Sequence, residues 1–309
     1  MNQVLKISIV ICFSFVSYKS YSQLSDSVYL FAYFKNNGED GLHYAYSEDG
    51  FTYNALRSDS SYLKPQVSKD KLMRDPCIVR GPDGTFHMVW TVSWNDKGIG
   101  YASSRDLIHW SDQQFIPVMV NEPRVMNCWA PEIFYDNDKF MIYWASTIPG
   151  RFPATDTAGD EKYNHRLYYV ITKDFRSFSK AELLYDQGFN VIDATIQKYQ
   201  NTYFMFLKDE TRFPPQKNLR VATSKRLTGG YSAPSSPVTG NYWAEGPTLV
   251  RKDAGWLMYF DKYTEHRYGL LESDDLLHWN DISEKLKMPA GLRHGTVLKI
   301  SRPELQRLY

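Results

Sequence analysis

This chain lacks most of what would tie it to a charged or lipid partner. Its 36 basic and 35 acidic residues leave a formal net charge of +1, which gives no footprint for nucleic acid or an anionic membrane surface. Three cysteines in 309 residues are too few for a disulfide scaffold. There is no Cys-x-x-Cys pair, His-Glu-x-x-His helix, Gly-x-Ser-x-Gly elbow or Walker loop, so the best-marked zinc, serine-nucleophile and nucleotide chemistries have no motif here. Heptad runs, low-complexity tracts and a second domain are also absent. The N-terminal apolar run, Ile7–Val16, is too short to span a bilayer.

That run sits in a processing signal over residues 1–22. Lys6 precedes it, and Ser20-Tyr21-Ser22 before Gln23 reads as a cleavage site. A lipoprotein reading centred on Cys12 fails because Ile11 is bulky and the apolar run continues past the cysteine. The expectation is export to the periplasm or beyond, as one domain over 23–309. Cys77 and Cys128 remain, both expected on first strands of adjacent blades. The compartment allows a disulfide between them, and buried free thiols are the plainer alternative.

What is abundant is aromatic: 16% of residues, carried on a recurring sentence. An apolar phrase appears as SVYLFAYFK at 27–35, TFHMVWTVS at 85–93, KFMIYWAST at 139–147, TYFMFLKDE at 202–210 and GWLMYFDKY at 255–263. Each is followed by a phrase ending in a small polar residue (LHYAYS, GIGYASS, RLYYVIT, NLRVATS, RYGLLES) and then by a turn-led phrase such as RDLIHWSD or DDLLHWND. A unit of roughly 50 residues with about four short strands is a β-propeller blade, and five units predict an all-β, five-bladed ring.

The innermost strand reads RDPCIVR from Arg74, WAPEIFY from Trp129, VIDATIQ from Val191 and AEGPTLV from Ala244. The N-terminal blade has no such phrase, but RHGTVLKI at 293–300 is a spare copy. The prediction is that this C-terminal strand joins the N-terminal blade and closes the ring, hiding two open edges. Longer excursions at 147–165 and 207–218 are expected at the rim. The repeated Leu-x-His-Trp turns assign His109, Trp110, His278 and Trp279 to scaffolding, and Trp90, Trp144 and Trp256 to packing.

Innermost strands converge on the axis, and three of their five leading ends carry acids: Asp75, Asp193 and Glu245. Acids crowded into one funnel perturb each other's protonation by burial and like charge. Such a set suits glycosidic hydrolysis, with one acid protonating the leaving oxygen and one carboxylate activating water. Pro76 is expected to bias Asp75 toward extended backbone, and Gly246 to leave room for a sugar beside Glu245. Glu132 reads as structural or as a rim contact. Trp94 and Trp129 are candidate stacking platforms for a sugar, and Arg293 a candidate contact to a hydroxyl or a carboxylate.

In order and spacing, Arg74-Asp75-Pro76, Trp129-Ala130-Pro131-Glu132, Ile192-Asp193-Ala194, Glu245-Gly246-Pro247 and Arg293-His294-Gly295 resemble glycoside hydrolase family 43 and its five-bladed relatives. The resemblance covers about residues 27–300. It implies Asp75 as general base, Glu245 as general acid and Asp193 as modulator of the acid, in an inverting mechanism with carboxyls ~6.5–9.5 Å apart. It also implies His294 as a candidate axial ligand, direct or through water, of a structural Ca or Na ion, with no cofactor required for the chemistry. The expected activity is exo-hydrolysis of a terminal sugar, foremost α-L-arabinofuranose. Alternatives in the family are β-xylose, galactofuranose and β-1,3-galactose. A non-catalytic glycan-binding propeller would tolerate loss of an acid, and a phosphorylase would replace the base at Asp75. The expected partner is a carbohydrate, and a monomer is the default.

Overall fold

The computed structural model describes residues 26–157, 159–160 and 163–309; the 1–22 signal lies outside the described residues. Alternating apolar phrases become strands, and the turn phrases join them into five antiparallel sheets. Blade I is β4 (Arg74–Arg80), β5 (Phe86–Thr91), β6 (Ile99–Ser104) and β7 (Gln114–Ile116). Blade II is β8 (Trp129–Asp136), β9 (Lys139–Thr147), β10 (His165–Thr172) and β11 (Glu182–Tyr185). Blade III is β12 (Val191–Tyr199), β13 (Thr202–Asp209) and β14 (Asn218–Ser224). Blade IV is β15 (Glu245–Lys252), β16 (Gly255–Lys262), β17 (Arg267–Ser273) and β18 (Asn280–Asp281). Blade V is made from both chain ends. β19 (Leu292–Ser301) pairs with β1 (Ser27–Lys35), which continues to β2 (His43–Ser47) and β3 (Asn54–Ala55).

The closure therefore forms as the sequence predicts, with Ser27 opposite Ser301 and Tyr33 opposite Gly295. Innermost strands touch in a cycle, β4 to β8 to β12 to β15 to β19 and back to β4. A short helix, α1 (Arg302–Arg307), follows under a Ser301–Glu304 capping box. Glu304 also takes a two-pronged bond from Arg80, at 2.8 and 2.9 Å, fastening the C-terminus to blade I.

Stability comes from between the blades. Five apolar clusters each fill one interface, with Trp90 in the V–I cluster, Trp144 in I–II, Tyr143 in II–III, Phe260 in III–IV and Tyr259 in IV–V. Full burial of such side chains contributes about 1.5–3 kcal/mol each. The aromatic excess is thus the filler that lets wedge-shaped blades meet.

Two expectations fail locally. Blade III has three strands, because Pro234 and Pro237 cannot donate to a ladder. The segment makes isolated bonds to β14 instead, from Ser232, Ser235 and Val238. Cys128 precedes β8 rather than lying on it, four positions before the residue equivalent to Cys77, and both thiols are buried and free.

Candidate active site

Every innermost strand of blades I–IV carries a bulge at its axial end. The ladder skips between Arg74 and Cys77, Trp129 and Glu132, Ile192 and Thr195, and Glu245 and Thr248. At each bulge one residue turns left-handed: Asp75 (φ 51°), Ala130 (46°), Asp193 (52°) and Gly246 (57°). Asp75 is thus not extended as the following proline suggests. Of the non-glycine residues, aspartate tolerates this region comparatively well.

The bulges also correct the supposed equivalence of the three acids. Asp75 and Asp193 stand at the apex, whereas Glu245 stands one residue before it. Its counterparts are Arg74, Trp129 and Ile192. Its own apex residue is Gly246, where an added Cβ would lie 2.4 Å from the His294 ring. Gly246 therefore makes room for His294, not for a sugar.

The acids converge through their partners. The Thr91 hydroxyl donates to Asp75 Oδ2 at 2.8 Å and accepts from Ala130 N–H at 2.8 Å, joining blades I and II. His294 Nδ1 lies 3.3 Å from Asp75 Oδ1. The Gly246 N–H donates to Asp193 Oδ2 at 3.1 Å, bringing the residue beside Glu245 onto the neighbouring acid. Glu245 is gripped by Lys208 Nζ at 3.1 Å and Arg293 Nη2 at 3.2 Å, while Arg293 Nε donates to Asp261 Oδ2 at 2.9 Å. Arg293 thus bonds two carboxylates at the site.

Charges follow from these contacts. Burial alone would raise Asp75, but the His294 hydrogen bond and charge, then Arg74 and Thr91, hold it down at about 2. Burial would lower His294, yet bonding to Asp75 and the charges of Asp193, Asp75 and Glu132 raise it to about 9, so it is an imidazolium at neutral pH. Burial, with Glu245 nearby, raises Asp193 to about 6 despite His294 and Lys208. Against burial, Lys208 and Arg293 hold Glu245 below the usual glutamate range. The hub therefore holds Asp75 and Glu245 in the ionised form more firmly than usual, and Asp193 less firmly.

Sequence reasoning missed Lys208 and Asp261. They stand on the second strands directly opposite Ile192 and Glu245, where the apolar phrases turn charged. Those interruptions, Lys208-Asp209-Glu210 and Asp261-Lys262, were the available signal.

Glu132 lies deeper, in a ring of five equivalent positions with Cys77, Thr195, Thr248 and Thr296. It accepts from Thr195 at 2.9 Å and Tyr143 at 3.3 Å, and burial pushes it up to about 7. Its role there is structural. Trp94 lies three residues beyond β5 and is 44% exposed; its backbone oxygen accepts from Trp129 Nε1 at 2.9 Å, and the two indoles meet edge to face at 5.5 Å. Arg74 lies over the Trp94 ring at 4.4 Å. His109 and His278 bind the aspartates of their own turns, as scaffolding should. Among the described residues no group of three or more His, Cys, Asp or Glu is arranged to hold a metal.

Comparison with known proteins follows this geometry. A family model described as "Probable glycosyl hydrolase domain" matches residues 26–306. An α-L-arabinofuranosidase of Bifidobacterium longum is 23% identical over 199 residues, covering 57% of this chain and 19% of that protein. The chain thus spans about a fifth of that curated relative. The crystal structure of an α-L-arabinofuranosidase from Lactobacillus brevis superposes with a TM-score of 0.54 at 18% identity, covering 68% of this chain and 72% of that one. A thermostable family-43 glycoside hydrolase gives 0.53 at 16% identity, with 72% and 78% covered. At such identities these structures establish the shared propeller fold.

Proposed function

The chain belongs to this family of probable glycosyl hydrolase domains, and we propose that it is an inverting exo-glycosidase that releases a terminal α-L-arabinofuranose. The observation that carries the proposal is the convergence of Asp75, Asp193 and the Glu245–Gly246 pair on His294 and on one another. The arabinose assignment is drawn from the names of the relatives.

In the proposed reaction Asp75 accepts a proton from water as the water oxygen attacks the anomeric carbon. Glu245 gives its proton to the departing glycosidic oxygen as that bond breaks. His294, Thr91 and Arg74 keep Asp75 ionised. Burial and the neighbouring Glu245 raise Asp193, and Lys208 and Arg293 stabilise Glu245 as it becomes an anion. The residues do not fit an axial Ca or Na ion: His294, charged through its contact with Asp75, has no ring lone pair to give, and among the described residues no group of acids is arranged to hold one. The 1–22 leader supports export.

The test is hydrolysis of 4-nitrophenyl α-L-arabinofuranoside, β-D-xyloside and β-D-galactofuranoside, with the first-formed anomer followed by NMR. The arabinoside should be the best substrate and the product anomer inverted. Preference for the xyloside would move the substrate assignment. Azide rescue of an acid variant with retained configuration would remove the inverting mechanism.

A further inference from the structure

The turn between β13 and β14 carries two charged residues, Glu210 and Lys217, that reach the catalytic hub only through a third, Lys208. Lys208, near the end of β13, is 3% exposed, and Lys217, just before β14, is 1% exposed. Glu210 stands between them. Its Oε2 lies 2.6 Å from Lys208 Nζ, close enough for an ion pair but outside hydrogen-bond alignment. Lys208 gives its hydrogen bond to Glu245 Oε2 instead, at 3.1 Å. Glu210 Oε1 accepts from Lys217, whose Nζ also donates to Asp160 Oδ2 at 2.6 Å. Charges therefore alternate along one chain of contacts: Asp160, Lys217, Glu210, Lys208, Glu245.

The backbone fixes this chain at both ends. Glu210 N–H donates to Asn190 O at 2.8 Å, and Ala244 N–H donates to Lys217 O at 2.9 Å, which ties Lys217 to the residue before Glu245. Lys217 is left-handed (φ 46°), a costly conformation that persists only where its surroundings impose it. Other charged or titratable groups face the same atoms. Lys208 also meets Asp193 from β12, Tyr263 beyond β16 and His165 from β10. Glu245 also meets Arg293, His294, Asp193 and Asp261. Burial would lower Lys208, but Glu210 first, then Glu245, Tyr263 and Asp193, raise it well above the usual lysine range. Lys208 is thus a permanent cation. Given to Glu245 alone, it would keep that carboxyl ionised, and an ionised acid has no proton to donate.

We propose that Glu210 is a positioning residue for the acid: it takes a share of Lys208, so that the ammonium steadies the Glu245 anion without preventing Glu245 from holding a proton, and Lys217 and Asp160 keep Glu210 in place. The proposal deepens the glycosidase reading and rests on Glu245 as its acid.

The test follows the ionisation of Glu245 in two ways. One is carbon-13 NMR of protein labelled at the glutamate carboxyls, with the Glu245 signal identified by its loss in Glu245→Gln. The other is the pH at which kcat/KM for 4-nitrophenyl α-L-arabinofuranoside falls. Glu210→Gln leaves Lys208 to Glu245, so both midpoints should move down by about 0.5–1 pH unit. Lys217→Met leaves Glu210 to Lys208, so both should move up, by roughly 0.3 unit. Glu210→Asp should recover most of the wild-type midpoint. A purely structural role would lower the melting temperature without shifts of opposite sign. Unmoved midpoints, or shifts of one sign in Glu210→Gln and Lys217→Met, overturn the proposal. If Glu210→Gln does not fold, the absence of an upward shift in Lys217→Met overturns it alone. If the arabinoside is not hydrolysed, the glycosidase reading fails while the NMR midpoints still decide the role of Glu210.

Discussion

Four blades bend the chain into the left-handed region near their outer rim, and four do so at the hub. The rim positions are Gly50, Leu107, Phe175 and Leu276, and the hub positions are Asp75, Ala130, Asp193 and Gly246. At the rim a small hydroxyl residue and the aspartate two places later close the turn on themselves. Asp275, for example, accepts from Leu277 and His278 N–H at 2.9 and 2.8 Å, and Leu276 N–H donates to Ser273. Ser104–Asp106, Thr172–Asp174 and Ser47–Asp49 repeat the pattern. At the hub nothing is closed locally. Asp75 depends on Thr91 and His294, and Asp193 on Gly246, 53 residues away. A device satisfied within a few residues can be copied unchanged. One satisfied by other blades differs at each copy, and this difference is where the chemistry lies.

The largest test of that contrast is to delete the hub acids. Asp75→Ala and Glu245→Ala should each lower kcat/KM by about 10²–10⁴-fold with the circular dichroism spectrum unchanged. Near-normal turnover by Glu245→Ala on a substrate with a poor leaving group would place the acid elsewhere.

The next test is the pH profile. Asp75 stays ionised above about 2, burial raises Asp193 to about 6, and Lys208 and Arg293 hold Glu245 below the usual glutamate range. Activity should therefore fall with rising pH as Glu245, the acid, loses its proton. Lys208→Met removes a cation that holds Glu245 low, so Glu245 keeps its proton longer and the falling limb should move to higher pH. A limb that stays put would separate Glu245 from that titration.

Stability should also reveal the hub. His294 is raised from 6.5 to about 9 in the folded protein, so the stability it contributes is full below pH 6.5 and lost as pH rises through about 9. Melting curves from pH 6 to 10 should show this decline, and His294→Gln should lack it. The smallest effect belongs to the rim. Asp275→Ala should cost about 1 kcal/mol, seen as a melting temperature lower by a few degrees, with kcat/KM unchanged. Lost activity in that variant would break the division between rim and hub.

Much of the rim and of the architecture was legible in advance. SVYLFAYFK and KFMIYWAST are β1 and β9 residue for residue, and the spare copy at 293–300 lies within β19. The hub was legible in which residues meet and less so in how. Pro76 pointed to extended backbone at Asp75, where the bulge imposes the opposite. Glu245 looked equivalent to the two aspartates, yet the register sets it one residue earlier, facing Asp261. Lys208 went unnoticed in the sequence, and pairing sets it opposite Ile192, within reach of Glu245.

By itself the sequence determined five repeats, their strands and turns, and the order that brings both chain ends into one blade. The strands and turns rest on interactions among near neighbours, and the shared blade follows from counting the repeats, both of which a string of residues records. Only the tertiary structure decided the bulges, the offset of Glu245 and the imidazolium at His294. Each of these depends on groups from other strands or blades, and on a shared burial that exists only once the ring has closed.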